Sequence, residues 1–435
     1  MSNAELSVAF FLQMAIIIAT CRAVGWLAKK YLGQPQVVGE MIAGVILGPS
    51  LFGLLAPDLQ ASLFPSESKS ILFVGAQMGV GLYMFLVGLG FRRDHFRTNA
   101  TSAAAVSLAG MAAPFLVAVA MAPWLMSLDL FGQGIVTWQA MLFMGAAISI
   151  TAFPMLARII HERGLSGTRL GSLSLAAGAI DDAGAWCVLA IVLASFGAGA
   201  AVAVKAIVGG AAFAAVMLYL GPRVLAPLGR RVEREGRLSL GVLGVVLILF
   251  MLSAWVMDAV GIHAVFGGFI LGVAMPRGLL TQELKRQLEP FAVVVLLPMF
   301  FTFSGLNTQL TMVNSWGLAL VTGAILAGSI LAKGGACWAA ARLTGQDNAT
   351  ALGIGALMNS RGLMELIIIN IGLQRGVIGP ALFSMLVLMA IVTTLMASPL
   401  FEMVYGRKAR ERGELGALNE DNEPQPLASN PAPAG

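Results

Sequence analysis

Leu173-Ser174-Leu175-Ala176-Ala177-Gly178-Ala179-Ile180-Asp181-Asp182-Ala183-Gly184-Ala185-Trp186-Cys187-Val188-Leu189-Ala190 is an apolar run interrupted by two adjacent acids. Nothing else between Leu170 and Ala194 is charged, and the run is long enough to cross a hydrocarbon core of about 30 Å. A carboxylate at mid-membrane costs at least ~2.5 kcal/mol even on lenient insertion scales. Two side by side cost more, because each disfavours ionisation of the other. The couple is therefore expected to face water, a cation or an opposite charge rather than lipid. Gly178, Ala179, Ala183 and Gly184 leave room for a neighbouring helix or an ion.

The rest of the chain agrees with a membrane setting. Of 435 residues 58% are hydrophobic and 11% charged, against about 25% charged in soluble domains. The fold class expected is an all-α polytopic membrane protein. A net charge of +5 would suggest nucleic acid or acidic partners in a soluble chain, but basic residues here gather in cytoplasmic loops and need none. Cys21, Cys187 and Cys337 lie in apolar segments without metal-ligand spacing, which argues against disulfides and zinc. The first apolar stretch lacks a basic leader and a cleavage site, so it reads as a retained helix.

Apolar windows give thirteen transmembrane spans, at 7–28, 36–53, 70–91, 101–125, 138–160, 170–194, 201–220, 238–258, 262–275, 287–306, 315–341, 349–373 and 380–403. Residues 1–405 form one membrane transporter domain, and 406–435 read as a disordered cytoplasmic tail. Most of the 27 basic residues fall in alternate loops, among them Arg92, Arg93 and Arg97, Arg163 and Arg169, and Arg230, Arg231 and Arg234. Lys69, Lys205 and Arg375 lie on the other side. The positive-inside rule then puts the N-terminus outside and the C-terminus in the cytoplasm.

An internal repeat is visible. Ala43-Gly44-Val45-Ile46-Leu47-Gly48 in span two matches Gly267-Gly268-Phe269-Ile270-Leu271-Gly272 in span nine, and Met84-Phe85-Leu86-Val87-Gly88-Leu89 in span three matches Phe301-Thr302-Phe303-Ser304-Gly305-Leu306 in span ten. An odd number of spans separates the copies, so spans 2–6 and 9–13 would form a five-helix inverted repeat, a transporter signature.

Two further spans carry interruptions at matching places. Span five holds Ile148-Ser149-Ile150-Thr151-Ala152-Phe153-Pro154, where Pro154 removes a backbone donor and breaks the helix. Its counterpart, span twelve, holds Met358-Asn359-Ser360-Arg361-Gly362-Leu363-Met364-Glu365. Paired interruptions in inverted halves point to a substrate site, where exposed carbonyls suit cations. Arg361 and Glu365, four apart, can pair on one helix face. Lys333 in span eleven is too deep to snorkel and needs a carboxylate, for which Asp181 or Asp182 is the natural partner. Such a trio can hold protons or a cation as rivals, and its acids titrate as a couple. Glu40, opening span two, is either an ion-funnel or an interfacial residue; His263 and Asp258 read as helix-end residues.

These stretches, with Gly39-Glu40-Met41-Ile42-Ala43-Gly44-Val45-Ile46-Leu47-Gly48-Pro49-Ser50, resemble the monovalent cation–proton antiporter superfamily. The nearest branch is that of Kef-type potassium-efflux systems and plant cation/H+ exchangers. The resemblance runs from about residue 8 to 403. It implies a Na+/H+ exchanger-like elevator fold in a homodimer, in a bacterial plasma (inner) membrane. A core of about 101–194 and 315–403 would move against a dimerisation scaffold of about 7–91 and 201–306, with spans five and twelve crossing where they unwind. The family's ion-binding aspartate matches Asp182, the acid that pairs with the membrane lysine in electrogenic members matches Asp181, that lysine matches Lys333, and Thr151 matches the polar residue of the first unwound segment. Ser149, Pro154, Asn359, Ser360, Arg361 and Glu365 support it. Kef-type systems usually add a cytosolic nucleotide-binding domain, for which the tail is too short, and tend to have an amide where Asp181 stands. Both departures point to an ungated electrogenic exchanger and leave Na+ versus K+ open.

The expected function is thus secondary active exchange of Na+ or K+ for H+, with no cofactor and the ions as substrates. The alternative on the same plan is a sodium-coupled organic-anion symporter. An intramembrane aspartyl protease needs carboxylates converging from different helices, whereas consecutive acids stand about 100° apart on one.

Overall fold

The computed structural model describes residues 2–34, 36–90, 100–165, 168–193, 195, 200–262, 264–307 and 315–411. Among these the structure is helical, with one isolated bridge between Phe131 and Ile378. Helices satisfy every backbone group within their own segment, which lipid demands. The first helices are α1 (Asn3–Leu32), α2 (Gln36–Leu47), α3 (Ser66–Gly90) and α4 (Ala100–Met126). They are followed by α5 (Thr137–Ser149), α6 (Phe153–Glu162) and α7 (Arg169–Leu193). Next come α8 (Ala200–Tyr219), α9 (Gly221–Glu235), α10 (Leu240–Val260), α11 (Ala264–Ala274), α12 (Leu279–Phe291) and α13 (Leu297–Leu306). The chain finishes with α14 (Trp316–Leu343), α15 (Asn348–Leu357), α16 (Leu363–Gln374), α17 (Pro380–Phe401) and α18 (Arg407–Glu411).

Eight helices among the described residues are long and apolar enough to cross a membrane. They cover windows one to four, eight, ten, eleven and thirteen. The other windows fall on α7, on α8 with α9 bent 45° from it, on the shorter α11, and on the split pairs α5/α6 and α15/α16. Length and composition support eight crossings; thirteen is a proposal. Two boundaries differ from the sequence reading. The break in span five lies at Ile150–Ala152, ahead of Pro154, because a proline fits the first turn of the next helix, where its missing N–H has no partner to lose. The terminal helix also runs further than expected. After a turn at Glu402–Gly406, α18 continues to Glu411, held by Arg410 on Glu402 and by Lys408 on Asp347 at 2.8 Å. Of the expected disordered tail, residues 412–435 lie outside the described residues, as do Arg92, Arg93, Arg97 and His263.

The repeat motifs pack directly on one another. α2 packs on α13 so closely that a Cβ on Gly44 would fall on the Phe301 carbonyl, and one on Gly305 on the Gly44 carbonyl. In the other copy, a Cβ on Gly88 of α3 would fall on the Phe269 carbonyl of α11, and one on Gly272 on the Phe85 carbonyl. Glycines thus let backbone approach backbone in both motif pairs, though not at register-equivalent positions.

Buried apolar side chains fall into two clusters. One draws on α1–α3 and on the stretch from α9 to α13, with Ile17, Leu72, Phe85, Val246, Phe250 and Leu296 at its centre. The larger one is built on α4–α7 and α14–α17 and takes in the facing sides of α2, α3 and α11. Within the larger cluster Phe153 of α6 meets Phe269 of α11 edge-on, with centroids 5.6 Å apart. Two hydrogen bonds cross between the clusters at one dipeptide: Arg163 donates to the Gly33 carbonyl (2.8 Å) and Gln34 to the Leu395 carbonyl (3.1 Å).

Candidate ion-binding site

On α7 the two acids point to different surroundings, as the 100° step of a helix requires, and both are buried. Asp181 is held on each oxygen. Oδ1 accepts from Ser107 of α4 (2.5 Å), and Oδ2 accepts from Thr151 (2.6 Å), which sits in the break between α5 and α6. Lys333 of α14 lies 3.4 Å from Oδ2. Asp182 differs: neither of its oxygens has a hydrogen-bond partner among the described residues.

Lys333 shows how the breaks are used. Its Cα lies on a helix whose Leu331 is 73% exposed, yet the ammonium is fully buried, because a two-residue step turns the side chain to the opposite face. There it donates to the Gly110 carbonyl of α4 (3.0 Å) and to the Ser149 carbonyl at the end of α5. The end of α5 carries partial negative charge from carbonyls the break leaves unbonded. The Ser149 hydroxyl turns back to the Ala146 carbonyl (3.4 Å).

At the second break Arg361 is also fully buried. Its guanidinium donates to Glu365 (3.1 Å), to Ser329 of α14 (2.8 Å) and to the Ala147 carbonyl of α5 (3.5 Å). Thr394 of α17 clasps its backbone, donating to the Arg361 carbonyl (2.7 Å) and lying 3.0 Å from its N–H. The breaks touch each other: the Ala152 N–H donates to the Ser360 carbonyl at 3.2 Å. Ser329 and Lys333 are four apart, so one face of α14 serves both breaks. Asn359 donates to the Gly355 carbonyl (3.0 Å), while its Oδ1 and the Ser360 hydroxyl are buried without partners among the described residues.

The structure therefore brings together Asp181, Asp182, Thr151, Lys333, Ser149, Asn359, Ser360, Arg361 and Glu365, with the backbone of Pro154 in the first turn of α6. Glu40 lies apart, between α1 and α2. It is buried, accepting from Gln36 (3.0 Å) with Arg22 at 4.0 Å. Asp258 accepts from the Ala264 N–H (2.9 Å) and so caps α11. Sequence reasoning missed Ser107, Gly110, Ser329 and Thr394. A hydroxyl in an apolar helix can bond its own turn, so composition and spacing carried no sign of them.

The site consists of two acids of unequal freedom, an ammonium seated on carbonyls, and a buried arginine–glutamate pair. Comparison with known proteins supplies the family. Residues 15–404 match the family model described as sodium/hydrogen exchanger, transmembrane. The chain is 39% identical to the Na+/H+ antiporter NhaS4 of Synechocystis over 398 residues, covering 90% of this chain and 95% of that protein. It is 34% identical over 412 residues to cation/H+ antiporter 18 of Arabidopsis thaliana (93% of this chain, 50% of that one). With K+/H+ antiporter 1 of Saccharomyces cerevisiae it shares 31% over 434 residues (95% and 48%). The chain spans about half the length of the plant and yeast relatives. On the strength of the family match over residues 15–404 and of a relative 39% identical along most of both chains, the chain belongs to the sodium/hydrogen exchanger family, a family of membrane transporters rather than enzymes.

Proposed function

We propose that this protein is a secondary active antiporter that exchanges Na+ or K+ for H+ by alternating access, with cation and protons competing for the Asp181–Asp182 site. The observation that carries the reading is Asp182: a fully enclosed carboxylate with no donor among the described residues, beside an Asp181 that has one on each oxygen. Asp182 is the residue with oxygens to spare for a monovalent cation or a proton, and Asp181 is a fixed charge beside it. Asp181, Asp182 and Glu365 against Lys333 and Arg361 leave a formal charge of −1 when all are ionised, which one monovalent cation neutralises. Lys333 is seated on carbonyls and stands off Asp181, so its proton can join the exchange. A cycle in which both Asp182 and Lys333 release protons moves two protons per cation and is electrogenic, the cation-bound site then keeping a charge of −1. The relatives' names span Na+ and K+, so both cations are kept; the symporter reading is not favoured.

The paired glycine contacts support an inverted repeat, and the helix pairs support thirteen crossings, with the N-terminus outside and the C-terminus in the cytoplasm of a bacterial inner membrane. In this reading the core (about 101–194 and 315–403) slides against the scaffold (about 7–91 and 201–306) along their apolar boundary, within a homodimer. No cofactor takes part; the ions are substrates. The test is pH-dye quenching in everted vesicles with Na+, K+, Li+ and Rb+ added in turn. Wild type should restore the dye signal with at least one cation, and Asp182→Asn with none. Cation-dependent proton flux surviving in Asp182→Asn would refute the assignment.

A further inference from the structure

α4 contributes no charged residue to the site, yet it touches both members of the ion pair. Ser107 gives its proton to Asp181 Oδ1 at 2.5 Å, and Gly110, on the next turn of the same helix, gives its carbonyl to Lys333 Nζ at 3.0 Å. Between these two contacts the ammonium stands 3.4 Å from Asp181 Oδ2, well beyond the 2.7–2.9 Å or so of a tight charge-assisted bond. Register is fixed by close packing. Cys337, one turn after Lys333, donates to the Val106 carbonyl (3.7 Å) and lies 2.5 Å from where a Cβ on Gly110 would be. α14 can therefore seat its lysine against α4 because residue 110 has no side chain.

Ser107 is fully buried in a helix that is otherwise apolar at its centre. A serine there can bond the carbonyl of its own preceding turn. Instead it donates to an acid 74 residues away. We propose that Ser107 is a positioning residue of the exchange site: with Gly110 it makes α4 a splint that pins Asp181 and keeps Lys333 off it, so that the field of the acid couple is presented to cargo at Asp182 rather than spent on the lysine. The inference rests on the antiport reading above and adds a residue to it.

Without the Ser107 donor, Asp181 Oδ1 is left bare in a dry site, and the nearest cation to compensate it is Lys333. Closure of the ammonium onto Asp181 weakens the negative field at Asp182. Ser107→Ala should then raise the apparent KM for the transported cation about ten-fold, the scale of one hydrogen bond to a charged group, with turnover at saturating cation within about two-fold of wild type. Ser107→Thr, which keeps the hydroxyl, should restore the wild-type KM; Ser107→Cys, near in size but a weak donor, should resemble the alanine variant. Equal KM values in wild type, Ser107→Ala and Ser107→Cys would overturn the proposal, as would a KM in Ser107→Thr raised as far as in Ser107→Ala.

A readout independent of transport covers the remaining outcomes. In infrared difference spectra of the purified full-length protein between acid and alkaline pH, Ser107→Ala should move one carboxylate stretching band, and Asp181→Asn should remove that band. A spectrum unchanged by Ser107→Ala overturns the positioning role whatever the flux. A moved band in a protein whose wild type exchanges none of the four cations would leave the role of Ser107 standing and remove the antiport reading instead.

Discussion

The two breaks share a plan and differ in what they leave open. At the first, a residue of the unwound stretch, Thr151, meets Asp181 of the helix that follows, and α14 adds Lys333. At the second, Arg361 of the unwound stretch meets Thr394 of the helix that follows, and α14 adds Ser329. Where one half places an acid couple, the other places a threonine. Among the described residues the first site leaves both Asp182 oxygens without a partner, while at the second Arg361 and Glu365 pair with each other, each keeping one partnered and one unpartnered polar edge. Two breaks of one design can thus divide the work, one presenting charge to cargo and the other bracing the crossing.

That division can be broken experimentally. Arg361→Ala strips one partner from a buried pair and abandons Glu365, a loss of about 3–5 kcal/mol. Thermal unfolding in detergent should register a large fall, and a variant as stable as wild type would erase the distinction between the sites. Thr394→Val keeps shape but frees the Arg361 carbonyl, and should cost about 1–3 kcal/mol in the same assay with the cation KM unchanged. A raised KM with unchanged stability would place the second break among the cargo contacts.

How far the sequence led is clearest at particular residues. A buried ammonium needs an acid, so Lys333 could be assigned to the Asp couple; a four-residue step allowed Arg361 and Glu365 to pair, and the structure has both contacts. Apolar windows located the helices because lipid leaves few other solutions. Which acid the lysine approaches came only from the family resemblance, which pointed to Asp181; spacing left both acids open, since the choice depends on the rotation of α7 against α4 and α14, set by packing far along the chain. Ser107 and Thr394 were hidden for a related reason: hydroxyls in apolar helices carry no charge penalty to betray them. α18 was taken for tail because its order comes from Lys408 and Arg410 reaching other segments, and not from its own composition.

The smallest expected effect lies outside the membrane, where α18 meets the N-terminus of α15. Lys408, with help from Thr350, holds the Asp347 carboxyl well below the usual carboxylate range. A depressed acid contributes stability above its unfolded value of about 3.9, and that contribution fades as pH falls below it. Both side chains are more than a third exposed, so the pair is worth less than about 1 kcal/mol. Lys408→Ala should lower thermal stability slightly at neutral pH, with the difference from wild type shrinking below about pH 4. A difference that grows toward acid pH would reverse the sign assigned to the pair.

The claim on which the account stands is that cation and proton are rivals for Asp182. Its most direct test is the apparent KM of the transported cation in proteoliposomes across a pH series. Competition predicts a KM that rises toward acid pH, approaching about ten-fold per pH unit for each competing proton, with an unchanged limiting rate. A KM that stays level while the limiting rate falls would mean that protons act elsewhere, and would contradict the shared site.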